Sequence, residues 1–410
     1  MKIAIVGAGI TGVTTAYELA SDGHEVTVFE QHSAAAEEAS FATAGLLAPH
    51  LTNPWAVPGF GPALRLMGAH ATLRLAGGWN RANLVWLRRW RQAARTRSAP
   101  AAALERLAQY SLARLQALAS QHELDIEGSE GRLLLLRTEQ ERAQLQPALD
   151  ILREAGVAWQ EMDADAARRT EPGLSPESQL AAAIHLPGAS AGNCRLLAQQ
   201  LRQGLQGAQV EFAFNTRVER IGTSPLALSL QGEPQVRRFD AVVLCAGLAS
   251  AALAPAFGLR LPMAAVYGYS VSAPLREATH APRGSIVDVA QQIAITRLGQ
   301  RVRIAGGAEL AGAGAAHHTP TLQRLYRTLN DWFPGGAQLS SGLQVWRGAR
   351  PLLPDGAPVV GPGSAPGVWI NTGHGAGGWT LACGCARALA DLIAQREPEV
   401  SLDGLGLRTF

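Results

Sequence analysis

The residues Gly7-Ala8-Gly9-Ile10-Thr11-Gly12 carry the first chemical signal of the chain. In this spacing each glycine has a mechanical task. Gly7 permits a tight turn, Gly9 lets the backbone approach a pyrophosphate, and Gly12 lets a helix pack closely against a strand. The flanking residues supply the context such a motif needs: residues 2–6 read as a buried strand, 10–22 as a helix ending at Asp22-Gly23, and 25–29 as a second strand. Glu30 closes that strand 18 residues after Gly12, where a carboxylate accepts bonds from both ribose hydroxyls. A diphosphate would sit at the helix N-terminus, where free N–H groups and the helix dipole favour an anion. Together these features imply a bound dinucleotide.

A second glycine-rich entry to a helix lies at the other end, Asn371-Thr372-Gly373-His374-Gly375-Ala376-Gly377-Gly378-Trp379-Thr380. Its backbone donors suit the pyrimidine edge of a flavin, which becomes anionic on reduction. A second nucleotide-fold segment returns only near residue 193, with a helix over 193–206, strands near 210–214 and 217–221, and a buried strand 241–245 ending at Ala246-Gly247. An NAD enzyme would complete its fold continuously. Two anion-receptive helix starts at opposite ends of the chain point instead to one long cofactor, FAD.

The elements that must position these groups predict an α/β chain with a discontinuous Rossmann-like FAD-binding domain (1–62, 181–262 and 346–410). An α+β substrate-binding domain (63–180 and 263–345) is built on an antiparallel sheet, signalled by alternating stretches at 264–272, 292–297 and 301–305. Helices are expected over 62–97, 101–122, 138–155 and 379–395, and strands at 132–137 and near 344–346. The 308–318 stretch, with His317-His318, reads as a loop and not a metal site, since no third ligand is near.

Composition narrows the chemistry. Lys2 is the only lysine, so Schiff-base chemistry has no plausible residue. Cys194, Cys245, Cys383 and Cys385 show neither zinc spacing nor CxxC, which fits a reducing compartment. Between Glu38 and Glu105 there is no acidic residue, while Arg65, Arg74, Arg81, Arg88, Arg89, Arg91, Arg95 and Arg97 fall there with Trp79, Trp86 and Trp90. Such a segment is either a peripheral membrane-surface element or a basic helix pair packing its tryptophans inward. No nucleic-acid module accompanies the charge. With no signal peptide and no apolar run of about 18 residues, the expected location is cytoplasmic, either free or peripheral on the inner membrane face.

The chain resembles the small-subunit type of bacterial D-amino acid dehydrogenase, within the wider D-amino acid oxidase and glycine oxidase superfamily. The resemblance rests on GxGxxG with Glu30, the loop Ser40…Ala44-Gly45, Pro54-Trp55-Ala56-Val57-Pro58-Gly59, Gly268-Tyr269-Ser270, Ala294-Ile295-Thr296-Arg297, Gly348-Ala349-Arg350-Pro351…Pro354-Asp355-Gly356, and the glycine-rich helix entry continuing to Gly384. It departs from that pattern at Thr43, Tyr267, 187–193 and Cys385. The resemblance implies a carboxylate-binding role for Arg350, whose guanidinium offers two parallel donors. Tyr269 or Tyr267, two apart on one strand face, would offer a hydroxyl to the same carboxylate, or pack as ordinary aromatics. His374 is expected to contact backbone or flavin, and His50 to join the site or cap its loop. The expected cofactor contacts are Gly7, Gly9, Ile10, Thr11, Gly12, Glu30, Gln31, Ser40, Thr43, Ala44, Gly45, Leu46, Val218, Ala246, Gly247, Gly348, Gly373, Gly375, Gly377, Gly378, Trp379 and Thr380.

The reaction implied is oxidative deamination of a D-amino acid by hydride transfer to FAD, which requires orientation more than acid–base groups. The 350–356 stretch lacks a cysteine for flavin attachment, so the FAD is expected to be non-covalent. With no lysine to assist oxygen, electrons are expected to pass to a quinone or respiratory carrier. The alternatives are an oxidase or dehydrogenase of glycine, sarcosine or a cyclic D-imino acid, or a flavin subunit of a larger complex.

Overall fold

A computed structural model describes residues 1–49, 73–76, 81–96, 101–205 and 209–410. The N-terminal strand Lys2–Val6 is apolar because it is covered on every side. It pairs in parallel with Glu25–Phe29 and with Ala241–Leu244, and Ile3, Ala4 and Ile5 are fully buried. Among the described residues this sheet has six strands, in the order Val359–Pro362, Val368–Thr372, Ala241–Leu244, Lys2–Val6, Glu25–Phe29, Val210–Ala213. Only the edge strand Val359–Pro362 is antiparallel to its neighbour.

Five helices bury one apolar cluster beside this sheet: Ile10–Ser21, Ala101–Gln121, Glu139–Glu154, Cys194–Gly204 and Gly378–Ile393. Gly384 carries no side chain where the last of these meets Ser111 of Ala101–Gln121, and its N–H donates to the Ser111 hydroxyl at 2.9 Å. Within this layer Glu18 is almost fully buried, yet it is compensated. Arg114 donates to it from Nε and Nη2, both at 2.8 Å, and Arg387 from Nη1 at 2.8 Å. One carboxylate thus ties three helices together.

The second sheet has ten strands among the described residues. Its main path runs Gln344–Leu352, Ala264–Pro274, Arg301–Leu310, Ile293–Leu298, Ser285–Asp288, Ser129–Leu136, Ala182–Ala191, Leu46–Leu47. Arg74–Leu75 joins it beside Arg301–Leu310, and Gln160–Met162 beside Ala182–Ala191. Helix Thr319–Trp332 covers one face through Leu325, Leu329 and Trp332. Strand alternation turns the other face toward the six-stranded sheet.

Two expectations are corrected here. The single helix expected over 62–97 is interrupted: Arg74–Leu75 is a strand, and the described helix is Arg81–Thr96. Backbone pairing with Glu309 and Leu310 overrides helical propensity there. Strands Ala182–Ala191 and Gln344–Leu352, placed largely on the FAD-binding side by the sequence reading, run in the ten-stranded sheet. The Pro54–Gly59 loop and His50 lie outside the described residues.

Glu18→Ala would strip Arg114 of its carboxylate partner, while Arg387 keeps Asp22 and Asp391. It is expected to destabilise the chain by about 1.5–3 kcal/mol, measured as a lower denaturation midpoint of the purified protein.

Candidate active site

At the N-terminal turn, Gly7 adopts φ +103°, and a Cβ there would come within 2.7 Å of the Cys245 carbonyl oxygen. A Cβ on Gly12 would overlap the Gly7 carbonyl, so Gly12 works by close packing and does not itself border the cavity. Helix Ile10–Ser21 begins at Gly9 with no side-chain cap. One of its first-turn N–H groups, that of Ile10, donates to the Ser40 hydroxyl at 3.1 Å. Glu30 accepts from the Ala8 N–H at 2.7 Å and from the His32 N–H at 2.9 Å. Its carboxylate is therefore already turned toward the glycine turn.

From this turn a cavity of about 600 Å³ runs to the second sheet. Gly7, Gly9, Ile10, Thr11, Glu30, Gln31 and Ser40 border its first half, with Val218, Ala246 and Gly247. Thr43, Ala44 and Leu46 follow, then Gly373, His374, Gly375, Gly378 and Trp379. Helix Gly378–Ile393 also starts without a side-chain cap. The cavity is thus long, with a glycine-cleared helix start at each end, and the residues present fit an extended dinucleotide such as FAD.

Gly45, Gly377 and Thr380 do not border the cavity; Gly45 and Thr380 brace its wall. Trp379 Nε1 donates to the carbonyls of Gly45 (3.3 Å) and Gly192 (3.2 Å), and the Thr380 hydroxyl to that of Leu46 (3.3 Å). The same loop is held from the second sheet. Arg303 donates from Nη1 to the Thr43 carbonyl at 3.1 Å, and the Thr296 hydroxyl to the Ala44 carbonyl at 2.9 Å. Burial pushes the Arg303 pKa down to about 10.

Arg350 borders the cavity from strand Gln344–Leu352. In the ladder with Ala264–Pro274 it stands opposite Val266, Gly348 stands opposite Gly268, and Trp346 opposite Ser270. The guanidinium lies over Gly268, where any Cβ would overlap it, and Nη1 donates to the Gly307 carbonyl at 3.0 Å. Desolvation alone pulls its pKa down to about 10. No carboxylate of the described residues pairs with it, so a half-buried cation faces the cavity uncompensated.

The two tyrosines are corrected by the same ladder. Tyr267 and Tyr269 stand opposite Ala349 and Arg347, one position out of phase with Arg350, so their side chains occupy the other face of the sheet. Although Tyr269 borders the cavity, its hydroxyl donates to Glu309 Oε2 at 3.0 Å and accepts from the His318 N–H at 3.0 Å. The Arg347 guanidinium lies 3.6 Å above the Tyr267 ring. Neither hydroxyl is brought to Arg350. His374 does border the cavity, at the start of the second glycine-rich turn. Among the described residues no His, Cys, Asp or Glu group could hold a metal.

Sequence reading missed Ser270 and Trp346 as site residues. The signal was present: on a strand carrying Arg350, positions 346 and 348 share its face. Glu30→Ala is expected to weaken FAD retention by roughly 10–100-fold, the loss of one or two hydrogen bonds to a charged acceptor. Flavin fluorescence released on dilution measures it.

Residues 2–392 match the DAO family, described as FAD dependent oxidoreductase. A D-amino acid dehydrogenase of Cereibacter sphaeroides is 39% identical over 419 residues, covering all of this chain and 95% of the relative. Among solved structures, glycine oxidase from Geobacillus kaustophilus superposes with a TM-score of 0.76 at 22% identity, covering 100% of this chain and 98% of that one. Glycine oxidase from Bacillus cereus gives 0.75 at 21%, covering 100% and 99%; both likenesses concern the fold. With a two-ended dinucleotide cavity and a match from residue 2 to residue 392, the chain belongs to the DAO family of FAD-dependent oxidoreductases.

Proposed function

We propose that this enzyme oxidises a D-amino acid at Cα, giving an imino acid that water hydrolyses to a 2-oxo acid and ammonia, and that its electrons leave to a quinone or respiratory carrier. The observation that carries the reading is Arg350, an uncompensated, desolvated guanidinium bordering the flavin cavity. A carboxylate answers that charge and, through two parallel donors, fixes the α-carbon in space. Bound non-covalently between the two glycine-rich helix starts, FAD supplies the hydride acceptor. The protein's own work is then orientation and exclusion of water. The D-configuration is supported by the name of the Cereibacter relative.

The acceptor assignment is supported by two features. Lys2, the only lysine, is exposed at the N-terminal end of an interior strand, the end away from the glycine turn, and pairs with Glu25, so no lysine stands near the cavity to assist oxygen. Helix Arg81–Thr96 exposes Leu84 and Val85 between Arg81 and Arg88, while Trp86 is buried and donates to the Leu352 carbonyl at 3.2 Å. The tryptophan packs inward, and the arginine face with its two apolar residues turns outward, toward a peripheral contact with an anionic membrane. No described helix is long and apolar enough to cross a membrane.

Arg350→Met is expected to raise the apparent substrate constant at least ~100-fold, since removing one partner of a desolvated ion pair costs about 3–5 kcal/mol. An unchanged constant rejects the carboxylate role. Dye reduction with a panel of D- and L-amino acids, glycine, sarcosine and D-proline should respond to D-amino acids; stoichiometric hydrogen peroxide release would reject the acceptor. Leu84→Glu with Val85→Glu should abolish sedimentation with anionic vesicles and leave dye reduction unchanged.

A further inference from the structure

We infer that the Trp346 indole N–H and the Ser270 hydroxyl complete the substrate-carboxylate subsite beside Arg350, an assignment that rests on the reading of Arg350 given above. Three consecutive cross-strand pairs turn one face to the cavity: Val266 with Arg350, Gly268 with Gly348, and Ser270 with Trp346. The middle pair has no side chains, and its neighbours lean over it from both ends. The Arg350 guanidinium covers Gly268. The pyrrole edge of Trp346 covers Gly348, with Nε1 2.9 Å from where a Cβ would stand. Side chains at directly opposite positions stand roughly 4.5–5.5 Å apart at Cβ, so guanidinium and indole N–H are held side by side over one bare step of the sheet.

What gathers there is donors without an acceptor. Trp346 Nε1 and Ser270 Oγ are both buried, and neither has a hydrogen-bond partner among the described residues. A buried polar group left unmade is costly, and two of them turned on one spot beside a cation describe an anion site. A carboxylate has two oxygens and about four acceptor positions. Arg350 satisfies at most two of them in parallel, leaving positions for the indole N–H and the hydroxyl.

The indole is also held in place. Its ring stacks on Phe41 at 4.2 Å with an interplanar angle of 26°, and the Arg195 guanidinium lies 3.9 Å above the Phe41 ring. Phe41 directly follows Ser40, which meets the glycine helix, and Arg195 lies on the helix Cys194–Gly204. The donor on the second sheet is therefore fixed by elements of the first, so the subsite is assembled only where the two meet.

The test uses the FAD-loaded enzyme and propionate, a carboxylate with no reactive amine, titrated by the change in flavin absorbance; propionamide is the neutral control. Trp346→Phe keeps the aromatic stack and removes the N–H. It should weaken propionate binding about 10–100-fold while shifting propionamide less than about 3-fold, and raise the substrate KM with a smaller change in kcat. Ser270→Ala should act in the same direction, and carries the comparison alone if Trp346→Phe does not retain FAD. Unchanged propionate binding, or equal losses for propionate and propionamide, overturns the inference. If Arg350→Met weakens propionate binding while Trp346→Phe and Ser270→Ala do not, the inference fails and the role of Arg350 stands. If Arg350→Met has no effect either, both fail.

Discussion

A guanidinium withdrawn from water has to be answered by something. Arg350 is answered by one carbonyl, that of Gly307, and otherwise by the cavity it faces. Much of the second sheet follows from holding it there. Gly268 has no side chain because the guanidinium occupies that space, and Gly348 has none because the Trp346 indole does. Gly307 takes φ +76°, at a point where the ladder between Ala264–Pro274 and Arg301–Leu310 shifts register. That bulge is what turns its carbonyl toward Arg350.

The face behind the bulge carries its own charges. Glu309, almost fully buried, accepts from Arg74 at 2.9 Å, from Arg347 at 3.2 Å and from Tyr269 at 3.0 Å. It stands opposite Tyr267, just beyond the register shift. The sheet thus separates two electrostatic settings that two arginines of one strand, three residues apart, occupy. Arg347 meets a carboxylate of the chain itself, whereas Arg350, three residues on and on the other face, meets none among the described residues and borders the cavity. Alternation on a strand is enough to give two arginines opposite fates.

That separation also marks where the sequence was legible. The glycine turn, Glu30, the buried parallel strands and the C-terminal glycine-rich entry are local patterns, each complete within a dozen or so residues, and the structure has them where the patterns put them. Arg350 was singled out by motif, and it borders the cavity, but its neighbours depend on register. Nothing in Gly268-Tyr269-Ser270 tells which of these side chains shares a face with Arg350 until the two strands are paired, and a one-residue shift would have exchanged the tyrosines for Ser270. The interruption at Arg74–Leu75 was hidden for the same reason: its partner is more than 200 residues away. The assignment of Ala182–Ala191 to the second sheet was equally non-local, since its pairing with Ser129–Leu136 is what places it there.

The seam between the two sheets joins these strands to function. The loop 43–46 is gripped from the ten-stranded sheet by Arg303 and Thr296, and from the helix Gly378–Ile393 by Trp379 and Thr380. Every one of these bonds ends on a backbone carbonyl, so the grip does not depend on which side chains the loop carries. The loop's departures from the family pattern, such as Thr43, can therefore change what the cavity wall presents without loosening its position. Catalysis by orientation requires that the plane of the cofactor and the carboxylate anchor keep a fixed separation. On the proposed reading, a loop held by both sheets, with Arg350 on one and the glycine turn on the other, meets that requirement through covalent geometry and hydrogen bonds alone.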